Sequence, residues 1–307
     1  MSAEVIVVGG GVIGLTTGIV LAESGHRVRV WSRDPAGATT SAVAGALWWP
    51  YRIEPEQLVG DWSLQSLRVY EELAADPEAT GVRLVRGVQY GERLAGLGSW
   101  ARSVAGLTEE PEGLWARLPL IDMPAHLGWL RARLEAAGGT VEERTVSGLD
   151  EVPAEVVVNC TGLGARELVP DPDVRPMRGQ LVVVENPGIE EWFTSVDHEA
   201  SETTYCFPQP GGLILGGTAQ EDVWDLRPDP AVAEAIVARC ARIRPEIAEA
   251  KVLDHRVGLR PVRPSVRIER EQLGRSVLVH NYGHGGAGVT VAWGCAGAAA
   301  RLVAGRT

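Results

Sequence analysis

Few folds accommodate three glycines spaced Gly9-x-Gly11-x-x-Gly14 directly after an apolar stretch such as Glu4 to Val8. Val12 to Glu23 then reads as a helix, Gly25 stops it, and Arg27 to Ser32 reads as a second strand. That is a strand–helix–strand unit of about 30 residues, the minimum for two parallel strands joined by a crossover helix. In such a unit Gly9 permits the tight turn, Gly11 lets a pyrophosphate approach the backbone, and Gly14 lets helix and strand pack closely. Val12 and Ile13 open the helix, whose N–H groups and positive dipole end suit phosphate. The spacing alone is weak evidence. Set inside this unit it points to a bound dinucleotide. The second strand should end in an acid that holds the ribose. Here Arg33 stands at that position and Asp34 follows it, so Asp34 is either the ribose partner or a turn residue.

Two runs imitate membrane segments. Val5 to Ala22 has no charged residue, and Ser276 to Ala300 has none apart from His280 and His284. The first lacks a preceding basic residue and a small-residue cleavage site, and it carries five glycines, Gly9, Gly10, Gly11, Gly14 and Gly18. The second is broken by Asn281 to Gly286, a polar cluster that no lipid-facing helix accommodates. Both are therefore expected to be buried in a globular protein that binds no membrane. Acids outnumber bases 40 to 29, giving a net charge of −11, and this argues against nucleic acid as a partner. Lys251 is the only lysine, so the positive charge is nearly all arginine, the residue suited to bidentate carboxylate recognition. Cys160, Cys206, Cys240 and Cys295 form no CxxC pair, which predicts four buried thiols in a reducing cytoplasm, with no disulfide framework or metal site.

Further along, helices are expected from Trp62 to Ala74, Pro124 to Ala137, Ala231 to Ile243 and Gly288 to Ala300. Strands are expected at Val82 to Tyr90, Glu155 to Cys160, Arg178 to Glu185 and Leu213 to Gly217. Nucleotide-type elements lie at the start, middle and end, with sheet-rich segments between. The expected fold is α/β, a Rossmann-type dinucleotide-binding domain (1–55, 125–172 and 256–307) with a discontinuous second domain on a mixed, mostly antiparallel sheet (56–124 and 173–255).

Four further stretches carry a resemblance. They are Thr39 to Tyr51 (TTSAVAGALWWPY), Val158 to Gly162 (VNCTG), Gly258 to Pro264 (GLRPVRP) and His280 to Gly286 (HNYGHGG). With Arg178-Gly179-Gln180 and the glycine turn, they resemble the D-amino-acid oxidase family of flavoenzymes, in family order from residue 5 to residue 296.

The resemblance implies FAD held noncovalently, with the glycine turn on its pyrophosphate. Thr40, Ser41, Val146 and Gly162 would line the nucleotide, and Ala46, Leu47 and Trp48 would run past the flavin. Gly285, Gly286, Ala287, Val289 and Thr290 would approach its ring, where the helix dipole suits a reduced flavin. Arg260 matches the family's carboxylate clamp, whose planar guanidinium forms two parallel hydrogen bonds to an amino-acid carboxylate. Arg263 and Arg267 read as structural ion pairs. Tyr205 matches a tyrosine whose hydroxyl also touches the carboxylate, and Phe207, Gly286 and Trp49 complete the substrate pocket. The implied reaction is oxidative deamination of neutral D-amino acids to 2-oxo acids, ammonia and hydrogen peroxide, by hydride transfer from substrate Cα to flavin N5. No acid–base residue is assigned, and His280 and His284 are read as structural. A homodimer is a further expectation.

Three positions depart from the family pattern. Ser201 replaces a lid tyrosine, Trp49 replaces a glutamine, and Ala287 replaces an aromatic residue. The D-aspartate-preferring branch needs a second cation near the lid, for which His198 is the nearest candidate. A glycine, sarcosine or D-aspartate type of amine oxidase shares the fold. An NAD-dependent dehydrogenase shares the glycine turn but leaves GLRPVRP and HNYGHGG without a role.

Overall fold

A computed structural model describes residues 2–196 and 203–305. From the N-terminus, β1 (Glu4–Val8), α1 (Val12–Glu23) and β2 (Arg27–Ser32) form the expected unit, with β1 and β2 parallel. Val5, Ile6 and Val7 are fully buried because both faces of β1 are covered, as a continuous apolar run in a parallel strand requires. Next come α2 (Glu56–Leu73), α3 (Pro77–Thr80), β3 (Val82–Tyr90), β4 (Thr108–Glu110) and β5 (Gly113–Ile121). They are followed by α4 (Met123–Ala136), β6 (Thr140–Glu143), β7 (Val156–Asn159) and α5 (Ala165–Leu168). The rest is β8 (Arg175–Val184), β9 (Trp192–Val196), β10 (Thr203–Gln209), β11 (Gly212–Gly216), β12 (Gln220–Glu221), α6 (Pro230–Ile243), β13 (Val252–Leu273), β14 (Ser276–His284) and α7 (Gly288–Val303).

The strands form one sheet in the order β4-β5-β3-β9-β10-β11-β8-β13-β14-β7-β1-β2-β6, with β12 paired to β8. From β14 to β6 all neighbours are parallel. On the other side they are antiparallel except for β3 with β9. The expected α/β class with a mixed, mostly antiparallel second region is what forms. β13 joins the two halves, running 22 residues and pairing with β8 and β14. Its Pro261 and Pro264 cannot donate to a ladder, which hides this strand from a sequence pattern; the β14 register shifts between Val262 and Arg267.

α2 starts six residues before the expected Trp62, since Glu56, Gln57 and Leu58 are exposed and give no apolar period. β1 with α1 and β14 with α7 hold the two uncharged runs. Close packing explains their small residues: a Cβ on Gly294 would strike the Trp62 backbone. Among the described residues no helix is long and apolar enough to cross a membrane. All four cysteines are buried and unpaired by disulfide.

Candidate functional site

A cavity of about 1040 Å³ opens along the parallel edge and continues under the antiparallel strands. That volume is at the upper end of the roughly 300–1,000 Å³ typical of ligand sites. The turn after β1 forms one end. Gly9 has φ +118, and a Cβ there would strike the Cys160 carbonyl; one on Gly14 would strike the Gly9 carbonyl. Glycine is required at both places, and Gly14 accordingly lies behind the cavity wall instead of on it. Gly9, Gly11, Val12 and Ile13 line the cavity. α1 has no N-cap side chain and no acid in its first turn, so its positive end faces the cavity. Ser41 Oγ accepts the Val12 N–H at 3.0 Å, bringing the Thr40–Val43 turn against the helix end. Thr40 donates to the Leu259 carbonyl at 3.3 Å.

At the end of β2, Arg33 and Asp34 both line the cavity and pair with each other at 2.8 Å. Beside them Arg144 lies 3.9 Å over the Trp31 ring, and Val146, Gly162 and Glu167 continue the wall. Gly162 has φ +57.

The strap from Ala46 to Trp49 corrects one expectation. Trp48 N–H donates to the Pro119 carbonyl and Ile121 N–H to the Ala46 carbonyl, at 2.8 and 3.0 Å. Pairing with β5 makes the strap locally extended, so successive side chains point to opposite sides. Leu47 and Trp49 face the cavity, while Trp48 is fully buried and donates to the Ser63 carbonyl at 3.0 Å. Ala46 also lines the cavity, in the left-handed region at φ +58. Thr290 exchanges hydrogen bonds with the Trp49 backbone, at 3.0 and 3.3 Å, tying the strap to α7. Gly285, Gly286, Val289 and Thr290 line the cavity, whereas Ala287 is sealed beneath the turn.

The far compartment holds the cation. Arg260 Nη1 donates to the Thr218 carbonyl at 2.9 Å, and its guanidinium lies on the Gly179 backbone, where a Cβ would be 2.5 Å away. Among the described residues no acid pairs with it. By contrast Arg263 pairs with Asp171 at 3.0 Å and Arg267 with Glu269 at 2.9 Å, structural as expected. Tyr205 stacks on Phe207, centroids 4.7 Å apart and planes 14° apart, and its hydroxyl reaches over Gly216 and Gly217. Burial raises the Tyr205 pKa, with Arg260 pulling the other way, so the phenol is a donor at neutral pH.

His280 is structural: it meets Asn159 at 3.3 Å and is bonded to Glu271. His284 differs. It lines the cavity, its Nε2 has no partner among the described residues, and burial pushes its pKa down to about 3, so the ring is neutral. Ser201 and His198 lie outside the described residues.

Sequence reasoning missed several wall residues. Tyr51, whose hydroxyl is 3.2 Å from Thr203 Oγ1, directly follows the strap tryptophans, and its aromatic character was the available signal. Trp224 and Leu226 line the cavity yet are 53% and 58% exposed, which puts them at its mouth. Buried Arg178 holds their loop through the Asp225 and Arg227 carbonyls, at 2.7 and 2.6 Å. Gln89 and Thr194 carry no motif signal, and Gly179 stood in the Arg178-Gly179-Gln180 stretch without being assigned to the site.

A glycine cradle at a helix N-terminus, continuous with a recess holding an unpaired arginine and a phenol, defines a dinucleotide-binding protein with an adjoining site for a small anion. The chain belongs to the FAD-dependent oxidoreductase family, whose model matches residues 4–302. It is 65% identical to a D-amino-acid oxidase of Streptomyces coelicolor over 97% of this chain and 96% of that protein. It is 49% identical to a D-amino-acid oxidase of Rubrobacter xylanophilus, covering 98% and 95%. The structure of glycine oxidase from Geobacillus kaustophilus matches with a TM-score of 0.81 at 21% identity, covering 100% and 95%, a likeness of fold.

Proposed function

We propose that this chain oxidises neutral D-amino acids to 2-oxo acids, ammonia and hydrogen peroxide, with FAD held noncovalently. The observation that carries the reading is Arg260: a guanidinium without an acid partner among the described residues, laid on Gly179 beside Tyr205, inside a cavity that begins at the glycine turn. The 65% identity to a D-amino-acid oxidase supports the same activity. The residues present fit FAD. The wall is bare of side chains at Gly9 and Gly11, where a phosphate could approach, and the end of α1, which has no N-cap side chain of its own, faces it. Gly9, Gly11, Val12, Ile13 and Ser41 would hold the pyrophosphate, with Gly14 shaping their turn; Arg33, Asp34, Val146 and Gly162 would hold the adenosine side. Gly285, Gly286, Val289 and Thr290 would meet the flavin ring. When bound, FAD supplies a two-electron acceptor that oxygen can reoxidise.

The chain's own groups bind and orient. Arg260 takes the substrate carboxylate in two parallel hydrogen bonds, and Tyr205 donates a third. Leu47, Trp49 and Phe207 exclude water around the substrate. His284, neutral and short of a partner, is not assigned proton transfer. Noncovalent attachment is supported by Cys160, the cavity-wall cysteine: its thiol turns to Thr17 Oγ1 at 4.0 Å, and burial pushes its pKa up to about 12, which removes the reactive thiolate. We read the chain as two discontinuous domains, 1–55 with 125–172 and 256–307, and 56–124 with 173–255. The change from parallel to antiparallel pairing at β13 supports this division. A cytoplasmic homodimer is the assembly we propose.

The test is peroxide formation across paired D- and L-amino acids, with the visible spectrum of each sample, for the parent and Arg260→Met. The parent should be yellow and oxidise D-enantiomers, and the variant should stay yellow and lose turnover. Normal turnover in the variant refutes the assignment of Arg260.

A further inference from the structure

The cavity wall carries two buried polar side chains that neither the glycine cradle nor the arginine recess uses. Gln89 on β3 and Thr194 on β9 are 3% and 8% exposed, both line the cavity, and they face each other across the parallel β3–β9 ladder. Thr194 Oγ1 donates to Gln89 Oε1. Among the described residues Gln89 Nε2 has no hydrogen-bond partner, and it is not one of the polar atoms sealed away from solvent. Its N–H donors therefore open onto the cavity. Polar side chains buried at a wall cost free energy unless something bonds them, so a pair with donors to spare is informative.

Strand register locates the pair relative to the clamp. Gln89, Thr194, Tyr205 and Gly216 stand in one row across β3, β9, β10 and β11. Residues directly opposite in a sheet share a face, so all four look into the same space. The Tyr205 hydroxyl reaches over Gly216, towards Arg260 and away from Thr194. With neighbouring strands about 4.8 Å apart, Thr194 lies about 10 Å from the clamp end of the row and Gln89 one strand further. A substrate held by its carboxylate at Arg260 can direct its side chain along that row. Leu47, Trp49, Phe207 and Leu181 make the intervening wall apolar.

We propose that Gln89 and Thr194 form the side-chain end of the substrate site and select D-amino acids whose side chain ends in an uncharged hydrogen-bonding group, such as a carboxamide or hydroxyl. This rests on the oxidase reading above and adds the substrate class to it. Gln89 offers N–H donors to a substrate carbonyl, and the Thr194 hydroxyl can turn from Gln89 to bond the substrate instead. An apolar side chain of equal size leaves the Gln89 N–H donors unpaired, which is how a polar wall discriminates between isosteres.

The test compares D-glutamine with D-methionine, which are close in size and differ in the polarity of the side-chain end. kcat/KM for both is measured by peroxide formation on the FAD-loaded parent, Thr194→Val and Gln89→Leu. D-methionine in each variant is the internal reference, and flavin absorbance per protein verifies loading. The ratio of D-glutamine to D-methionine should fall about tenfold in each variant, the loss of one hydrogen bond with a group left unpaired. A ratio within twofold of the parent in both variants overturns the proposal and leaves the pair as a cross-link between β3 and β9. Thr194→Val changes shape least, so it decides the matter alone if Gln89→Leu does not fold. Failure of the oxidase reading looks different: the yellow parent then forms no peroxide from either amino acid, and both proposals fall.

Discussion

Gly179→Ala separates the clamp's geometry from its presence. A Cβ at residue 179 lies 2.5 Å from Arg260 Nη1 and Nη2 and 2.6 Å from Cζ. Ordinary non-bonded contacts begin near 3.5 Å, so the guanidinium must lift by about 1 Å. The atoms that move are the far end of a flexible side chain, so the fold absorbs the methyl group cheaply. The carboxylate does not. A hydrogen bond of about 2.9 Å lengthened by about 1 Å is no longer a hydrogen bond. Losing one bond to a charged group costs about 1.5–3 kcal/mol, or roughly 10- to 150-fold. A misplacement of about 1 Å in a reacting pair reaches a similar figure, about 10²-fold. The variant should therefore keep its flavin absorbance and melting temperature and lose about 10²-fold in kcat/KM for a D-amino acid, read as peroxide formation. Activity within about threefold of the parent would refute the reasoning, since Arg260 could not then act from its place on Gly179.

Tyr205→Phe removes one donor and keeps the stack on Phe207, so kcat/KM should fall about three- to tenfold, measured in the same assay. Gly9→Ala forces a side chain into the Cys160 carbonyl at φ +118, and the purified protein should be colourless or unstable, as its visible spectrum and melting curve will tell. Stability should fall below about pH 6.5 through His126. Burial pushes its pKa down to about 4, with an opposing bond to the Thr80 carbonyl at 2.8 Å, so the unfolded chain binds the extra proton first. The sign follows: its contribution is full above the unfolded pKa of about 6.5 and is lost as pH falls towards 4, at up to about 1.4 kcal/mol per pH unit. Denaturant melts of His126→Gln should show a shallower slope in that window.

The glycine cradle was legible because a turn, a helix start and a parallel strand are local in sequence, although only Gly14 answers a steric demand within five residues; Gly9 and Gly11 answer to Cys160 and Ser41. The two uncharged runs were also readable as buried, since glycine and polar residues interrupt them. Trp48 was not. Which strap tryptophan faces the cavity depends on pairing with Pro119 and Ile121, about 70 residues away, and a one-residue change of side reverses the reading. Gln89 and Thr194 stayed hidden for the same reason: they meet only because β3 and β9 pair in parallel across a long connection. Arg260 stood out by its motif; its proposed role as a clamp is supported by its having no acid partner among the described residues, whereas Arg263 and Arg267 are paired.

The most direct measurement is the visible spectrum of the purified protein mixed without oxygen with a D-amino acid and, separately, with its L-enantiomer. FAD-dependent D-amino-acid oxidation predicts flavin absorbance that bleaches promptly with the D-enantiomer, persists with the L-enantiomer, and persists with both in Arg260→Met. A colourless protein, or bleaching by the L-enantiomer alone, would contradict it.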